Sequence, residues 1–235
     1  MIEQLPIYVY LVFGFTTFLT LWLFYAIVKN SSSKVTSEKS TLVLLSLIGW
    51  LIVQAILSYF NVYNSDTSAF PPKIVLFGIL PTILLIISVF LTQKGRTFID
   101  NLALKNLLTI HFVRIPVEVV LYWLFLEKKI PELMTFEGRN WDIFIGFSAI
   151  FIYVRGFQKQ RISAKLMLVW NVIGLGFLVN IVGNALLSSP SPIQQFAFEQ
   201  PNIAILYFPF SWLPTFIVPI VLFAHVASIR LLLKS

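Results

Sequence analysis

The chain has 235 residues, of which 58% are hydrophobic and only 11% are charged, and its formal net charge is +7. Soluble domains carry a charge on roughly a quarter of their residues, and a water-soluble fold of this size cannot hide so much apolar surface behind so few charges. These values exclude a soluble enzyme, a disordered regulator and a nucleic-acid-binding protein. The lack of cysteine excludes disulfides and thiolate metal sites.

Seven apolar stretches are long enough to cross a bilayer, for which a helix needs about 20 apolar residues. The predicted spans are 6–28, 41–60, 74–92, 106–126, 141–157, 166–187 and 203–229. The residues before the first span lack the positive charge of a signal peptide, so we expect this helix to be retained. The last span contains Pro209, Pro214 and Pro219 and is expected to be kinked or broken. The sequence therefore predicts an all-α integral membrane protein with seven transmembrane helices in a single domain, residues 1–235.

Basic residues predict the orientation of these helices. Twelve lie in the connections after spans one, three and five and at the C-terminus: Lys29, Lys34, Lys39, Lys94, Arg96, Lys105, Arg155, Lys159, Arg161, Lys165, Arg230 and Lys234. The opposite side carries Lys73, Lys128, Lys129 and Arg139. Because cytoplasmic loops are enriched in Lys and Arg, we expect the N-terminus outside and the C-terminus inside.

Short matches in the same order suggest an internal repeat of spans one to three in spans five to seven. The clearest pair residues 54–58 with 184–188 and residues 77–82 with 210–215. An odd helix between the copies keeps them in the same orientation, so span four would be the connector of a three-plus-one-plus-three bundle. This architecture resembles SWEET-type sugar carriers and opsins, although the motifs of neither family are present.

Two segments carry a resemblance at the family level. His111-Phe112-Val113-Arg114-Ile115-Pro116-Val117-Glu118 and the stretch QPNIAILYFP at 200–209 resemble a family of uncharacterised seven-helix bacterial inner-membrane proteins. The resemblance implies a location in the bacterial inner membrane. It implies no activity and assigns no functional residue.

Span four contains two charged residues, Arg114 and Glu118, one helical turn apart. A charge at the centre of a bilayer costs about 2.5–3.5 kcal/mol on insertion scales, so such residues usually have a function. His111 and Tyr122 extend the same helix face, which should point into the bundle. We interpret Arg114 as a substrate anchor and Glu118 as a carboxylate that exchanges a proton or cation. The alternative is a structural Arg114–Glu118 ion pair.

Amides on other helices complete the predicted substrate site. Gln54 and Asn180 lie near mid-membrane, and Asn184 lies one turn farther out. We therefore predict substrate contacts for Arg114, Glu118, Tyr122, Gln54, Asn180 and Asn184. Asn180 and Asn184 could equally form hydrogen bonds that join helices.

His111 and His225 are the only histidines and are predicted at matching depth on different helices. A pair of this kind could ligate haem or, with Glu118 or water, a metal ion. The alternative is ordinary hydrogen bonding within the bundle. The main prediction contains no cofactor, and haem or a metal ion is kept as the second possibility.

The two predicted outer loops, 127–140 and 188–202, contain or adjoin carboxylates that could form the mouth of a pathway or a solvated surface. These residues are Glu127, Glu132, Glu137, Asp142 and Glu199.

The leading functional hypothesis is a membrane carrier or solute-binding permease, and an enzyme is disfavoured because no nucleophile–base pair is visible. The expected partners are the lipid bilayer and a small solute, ion or lipid inside the bundle, with no nucleic acid; the oligomeric state is left open. The alternatives are a haem- or metal-binding redox protein using His111 and His225, and a membrane sensor or scaffold.

Overall fold

The computed structural model describes Ile2 and residues 5–157 and 162–234. This part of the chain consists of α-helices, 3-10 and π-helical turns and loops, without a strand. The α-helices are α1 (Ile7–Lys29), α2 (Lys34–Glu38), α3 (Ser40–Tyr59), α4 (Leu80–Leu91), α5 (Gln93–Asp100), α6 (Leu104–Thr109), α7 (Arg114–Leu126), α8 (Asp142–Phe151), α9 (Ala164–Ser188) and α10 (Val218–Lys234). The 3-10 turns are Ile110–Val113, Glu132–Met134 and Ala204–Leu206, and the π-helical turns are Val75–Ile79, Ile152–Phe157 and Leu213–Ile217.

The described helices form a membrane protein with five or six candidate spans. Five are long and apolar enough by themselves: Ile7–Lys29, Lys34–Tyr59, Leu104–Leu126, Ala164–Ser188 and Leu213–Lys234. A sixth would be Val75–Leu91 together with Gln93–Asp100, which meet at an angle of 86°. The predicted span 141–157 corresponds to Asp142–Phe157, ten α-helical residues followed by six π-helical ones, and is shorter than the others. Lys159 and Arg161 of the predicted cytoplasmic connection lie outside the described residues.

The last helix begins later than the sequence suggests. The predicted span opened at residue 203, whereas the continuous helical segment begins at Leu213, after a 3-10 turn at Ala204–Leu206 and an irregular stretch. Pro209 lies in this stretch, and a proline has no N–H with which to continue a helical hydrogen-bond ladder. The observed segment Leu213–Lys234 has 22 residues, against 27 in the predicted span 203–229, because it begins ten residues later and ends five residues later.

The centre of the fold is α7, which packs against α1 and α8, while α9 packs along α10. Val113, Val120 and Leu124 on or beside α7 are almost completely buried. On α1, the hydroxyls of Thr16 and Thr17 donate to the carbonyls of Val12 and Phe13, four residues earlier. Because these bonds satisfy the hydroxyls within the helix, α1 can present both residues to its neighbours without an unpaired donor.

Loop contacts define the two ends of the bundle. At one end, the Ser32 N–H after α1 donates to the Asn101 carbonyl (3.0 Å), and Arg230 of α10 is paired with Asp100 of α5. At the other end, the Ile203 N–H donates to the Lys129 carbonyl (3.1 Å). The connections after α1 and α5 therefore lie beside the end of α10, and the two long loops meet at the opposite end.

Candidate functional site

The site begins where the helix of span four changes its pitch. Residues Ile110–Val113 form a 3-10 turn between α6 and α7, and α7 starts at Arg114. Pro116 then falls in the first turn of α7, and it has no backbone N–H for a hydrogen bond to the preceding helical turn. The pitch change places His111, Arg114 and Glu118 in the interior, and each is at least 97% buried.

Arg114 is the centre of a chain of polar side chains that crosses four helices. Its Nη1 donates to Asp142 Oδ1 at the start of α8 (3.1 Å), and its Nη2 lies 3.1 Å from His225 Nε2 on α10. His225 Nδ1 in turn lies 3.0 Å from Asn171 Oδ1 on α9. The Asn171 amide donates to the Met167 carbonyl (2.8 Å). The chain fixes the relative positions of α7, α8, α9 and α10 through one guanidinium group.

Asp142 is the ion-pair partner of Arg114, a role that the sequence did not indicate. We expected it among the carboxylates of an outer mouth or a solvated surface, but it is only 6% exposed and pairs with Arg114. Among the described residues, the ion pair of Arg114 is with Asp142 and none forms with Glu118. The structural alternative of a self-neutralising Arg114–Glu118 pair is therefore replaced by a pair between helices.

Glu118 is held on one side only. Its Oε1 accepts a hydrogen bond of 2.5 Å from Asn140 Nδ2, which also donates to the Met134 carbonyl (3.1 Å). Asn140 Oδ1 accepts from the Asp142 N–H (3.1 Å). Glu118 Oε2 is buried and has no hydrogen-bond partner among the described residues. The predicted outer loop 127–140 thus folds into the bundle and supplies an amide to the carboxylate.

Glu118 lines a cavity of about 200 Å³. Its polar side chains are Glu118, Asn140 and Asp142. The remaining wall is apolar and is contributed by helices α4, α7, α9 and α10 and their flanking turns. Representative residues of this wall are Val117, Leu121, Leu178, Ile181, Leu213 and Leu222. Arg114 lies behind Asp142 and is not part of the wall in the described chain.

The two histidines lie together, stacked with their ring centroids 4.1 Å apart and their planes inclined by 33°. Both nitrogens of His225 face protein partners, Arg114 and Asn171, whereas neither nitrogen of His111 has a partner among the described residues. Within that part of the chain, no group of three or more His, Asp or Glu side chains is arranged to hold a metal ion. Haem or metal ligation therefore stays a prediction, to be tested by the optical spectrum of haem-replete protein.

Two glycines allow the helices around Arg114 to approach each other. A Cβ added at Gly174 of α9 would lie 2.5 Å from His225 Cε1 and 2.8 Å from His225 Nε2. A Cβ added at Gly146 of α8 would lie 2.8 Å from Ile115 Cγ1. Distances this short require the neighbours to move, so both positions depend on the missing side chain.

The other residues predicted to contact substrate lie away from the cavity. Tyr122 stacks with Phe136, with centroids 5.0 Å apart. Gln54 accepts a hydrogen bond from the Tyr63 hydroxyl and donates to the Phe77 carbonyl (3.1 Å). The structure thus joins Arg114, Glu118 and the two histidines but leaves these two side chains in separate contacts.

Asn180 and Asn184 also lie outside the cavity wall of the described chain. Asn180 Nδ2 donates to the Arg139 carbonyl (2.8 Å), and Asn184 Nδ2 donates to Asn180 Oδ1 (3.2 Å). These bonds join α9 to the loop 127–140. This arrangement is similar to the alternative prediction, in which the two amides join helices by hydrogen bonds.

Sequence reasoning missed Asn140 and the burial of Asp142. A charge-pairing rule could have found Asp142, since a buried guanidinium needs a carboxylate and Asp142 lies just inside the predicted span 141–157. Asn140 belongs to a loop and shows no helical periodicity, so no sequence signal indicated its contact with Glu118.

Comparison with known proteins identifies a family. The model of the family described as Domain of unknown function (DUF8737) matches residues 71–233, which include the cavity and the whole polar chain. No curated protein and no solved structure matches the chain. Because the matched segment covers more than half of the 235 residues, the protein belongs to the DUF8737 family.

Proposed function

We propose that the protein is a membrane carrier or solute-binding permease, and that its solute binds in the cavity beside Glu118. The observation that carries the proposal is the carboxyl group of Glu118, whose residue lines a cavity of about 200 Å³ and whose Oε2 is a buried acceptor without a partner in the described chain. A buried polar atom left unpaired costs about 1–3 kcal/mol, and a bound donor would remove that cost.

The side chains around Glu118 have separate roles in this proposal. Glu118 binds the solute, and Asp142 is a second carboxylate on the cavity wall. Arg114 holds Asp142 and His225 in place and is a positioning residue, in contrast to the anchor that we expected from the sequence. Asn140 directs Glu118 by donating to Oε1 and leaves Oε2 free.

Interrupted helices form part of the cavity wall, which supports a transport role. Ile79 belongs to the π-helical turn Val75–Ile79, and Leu213 and Pro214 belong to the turn Leu213–Ile217. Discontinuous helices and π-helical turns are typical of substrate sites in transporters and of functional sites generally. They place a backbone that can change its hydrogen bonding next to the bound solute.

We further propose seven spans, with Val75–Leu91 and Asp142–Phe157 added to the five long helices, and an N-terminus outside a bacterial inner membrane. The contacts of Ser32 with Asn101 and of Asp100 with Arg230 support this parity, because they bring the predicted cytoplasmic ends of spans one, three and seven together. In this orientation the loop that carries Asn140 covers the cavity from the outside.

The internal repeat stays a prediction, and one observation supports it. The paired segments 77–82 and 210–215 both overlap π-helical turns, Val75–Ile79 and Leu213–Ile217, which pack against each other. At their contact, Gly78 lies directly against Thr215.

The proposed function is tested by solute flux in proteoliposomes. The panel contains small amines, small carboxylates and neutral polyols, and the protein-dependent flux of each is measured against protein-free liposomes. At least one class should cross faster with the protein, and Glu118→Gln should reduce that flux at least tenfold. Glu132→Gln is the matched control, since Glu132 is an exposed loop carboxylate.

Two outcomes would contradict the proposal. One is the absence of protein-dependent flux or saturable binding for all three classes. The other is an unchanged flux in the Glu118→Gln variant when that variant is folded.

A further inference from the structure

We infer that the ligand of the cavity is an amphiphilic amine that enters from the bilayer, with its ammonium group at Glu118 and its alkyl chain along the apolar wall. The inference names the substrate class of the same cavity, and for the movement of the ligand it rests on the proposed carrier function. The binding itself can be tested without transport.

The polar end of the cavity offers acceptors. Both hydrogens of the Asn140 amide are used, one by Glu118 and one by the Met134 carbonyl. Glu118 Oε2 remains free, and Asp142 contributes the second carboxylate. A ligand that satisfies this end must therefore bring hydrogen-bond donors, which an ammonium group does and a carboxylate ligand does not.

The charges of the cluster favour a monocation. Glu118 and Asp142 are two carboxyl groups, and among the described residues Arg114 is paired with Asp142 while no basic side chain is paired with Glu118. With both carboxylates ionised, one negative charge is left without a partner in a setting where an unpaired charge is expensive. A single ammonium group would balance it and form a charge-assisted hydrogen bond with Oε2.

The rest of the cavity selects for an apolar chain of limited size. Its wall is made of aliphatic side chains such as Leu121, Leu178 and Leu222. A volume of about 200 Å³ corresponds to about seven waters, at ~30 Å³ each, and so suits a chain of about six carbons with its nitrogen. The alkyl part would gain roughly 25 cal/mol for each Å² of apolar surface that leaves water.

The rim of the cavity faces the membrane. Val179, near the middle of α9, lines the cavity and is nevertheless 63% exposed on the outside of the bundle. Ile79 and Ile83, before and within α4, also line the cavity and are half-buried. Because this opening lies along the length of a membrane-spanning helix, a ligand would reach it from the lipid phase.

The test is isothermal titration calorimetry of the full chain in lipid nanodiscs, with empty nanodiscs subtracted. The probes are hexylamine, 1-hexanol and hexanoate at neutral pH, which share a chain length and differ in charge. Hexylamine should bind saturably and at least tenfold more tightly than the other two. Glu118→Gln should weaken hexylamine at least tenfold, whereas Glu132→Gln should leave it unchanged.

A second variant tests the entry route. Val179→Trp places a large ring at the rim and should weaken hexylamine severalfold, while methylamine, which has no chain to pass the rim, should keep its affinity. Since the wild-type comparison of the three hexyl probes requires no substitution, it decides the inference even if a variant fails to fold.

Three results would overturn the inference: equal affinity for hexanol or hexanoate and hexylamine, wild-type affinity for hexylamine in Glu118→Gln, or tighter binding of methylamine than of hexylamine. Flux of another solute class that depends on Glu118, without binding of hexylamine, would refute the amine and retain the carrier. Binding of hexylamine without flux of any class would retain the amine as the ligand and refute the carrier function.

Discussion

The helix of span four and the α3–α4 side of the bundle differ in how much of their surface is buried and in where their charged residues lie. In Leu104–Leu126, 61% of the most apolar stretch is buried, against 17% in Lys34–Tyr59. None of the residues of α4, all of them within the described chain, is buried. The buried helix carries Arg114 and Glu118, whereas the exposed helices present an almost uniformly apolar surface to the surrounding membrane.

Two cavities of the described chain differ in size and in lining. The larger, about 490 Å³, lies between α3, α4, α5 and α10 and is lined by residues such as Trp50, Leu85 and Phe223. Lys39, at its margin, is the one charged residue among the described side chains that line it. The smaller has less than half of that volume but ends in two carboxylates and an amide. Volume alone therefore does not mark the site, since the larger groove offers lipid chains mainly dispersion and apolar contact.

Loss of the Arg114 guanidinium should give the largest fall in stability. It tests how much the buried helix of span four depends on its ion pair. Arg114→Met leaves Asp142 buried without its cation, and breaking a buried ion pair in this way costs about 3–5 kcal/mol. Thermal unfolding in detergent should show a large fall in the melting temperature. The double variant with Asp142→Leu should recover much of the loss, since replacement of both partners is often neutral.

Arg230→Met is the control for this prediction. Arg230 is paired with Asp100 near the end of α10, and the side chains of both are about one-quarter exposed. The melting temperature should change much less than in Arg114→Met. Equal falls in melting temperature in the two variants would show that burial does not make the Arg114 pair more important for stability than the Arg230 pair.

Gln54 tests whether a polar residue of the α3–α4 side contributes to binding or only to stability. Gln54→Leu removes the partners of the Tyr63 hydroxyl and of the Phe77 carbonyl and should cost about 1–3 kcal/mol of unfolding free energy. Hexylamine affinity in nanodiscs should stay within twofold of wild type. A tenfold loss of affinity in a folded variant would extend the site to α3 and remove the contrast between the two regions.

A matched pair of glycines compares the packing of the two regions. Gly174→Ala should push His225 away from Arg114 and cost about 1–3 kcal/mol, because the new Cβ would lie 2.5 Å from His225 Cε1. Gly49→Ala on α3 meets nothing within 4 Å and should stabilise the helix by up to about 1 kcal/mol. Melting temperatures in detergent measure both. Similar losses in the two variants would contradict the tighter packing around His225.

The smallest expected effect is a pH dependence of stability that arises from Asp100, at the C-terminal end of α5 and outside the proposed spans. Hydrogen bonds from Arg230 and then from Lys234 hold the pKa of Asp100 below its ordinary value. A carboxyl with a lowered pKa stabilises the fold fully above the unfolded value of about 3.9, and this contribution is lost as the pH falls through the folded value. Wild type should therefore lose slightly more stability than Asp100→Asn between pH 5 and pH 3. If wild type and Asp100→Asn lose equal stability over this pH range, the link between α5 and α10 makes no pH-dependent contribution.

The sequence predicted the membrane helices and the buried charges for one physical reason. Charges are costly in hydrocarbon, so an Arg114 and a Glu118 inside an apolar stretch are conspicuous. It could not predict that Glu118 receives its hydrogen bond from Asn140, because a loop that folds into a bundle has neither periodicity nor unusual composition. It also could not separate Gln54 from Glu118 at similar predicted depth, since depth says nothing about which helices are neighbours.

The most direct test of the central claim is cysteine labelling, for which the chain is well suited because it contains no cysteine of its own. Leu121→Cys places a thiol on the cavity wall, and Leu124→Cys places one on the same helix at a buried position outside the cavity lining of the described residues. Both variants are treated with a cationic and an anionic methanethiosulfonate, carrying aminoethyl and sulfonatoethyl groups, and labelling is followed by mass spectrometry. We expect the cationic reagent to label Leu121→Cys at least tenfold faster than the anionic one, a preference lost with Glu118→Gln, and neither reagent to label Leu124→Cys. Equal labelling by both reagents, or none at Leu121→Cys, would contradict a cation-selective cavity at Glu118.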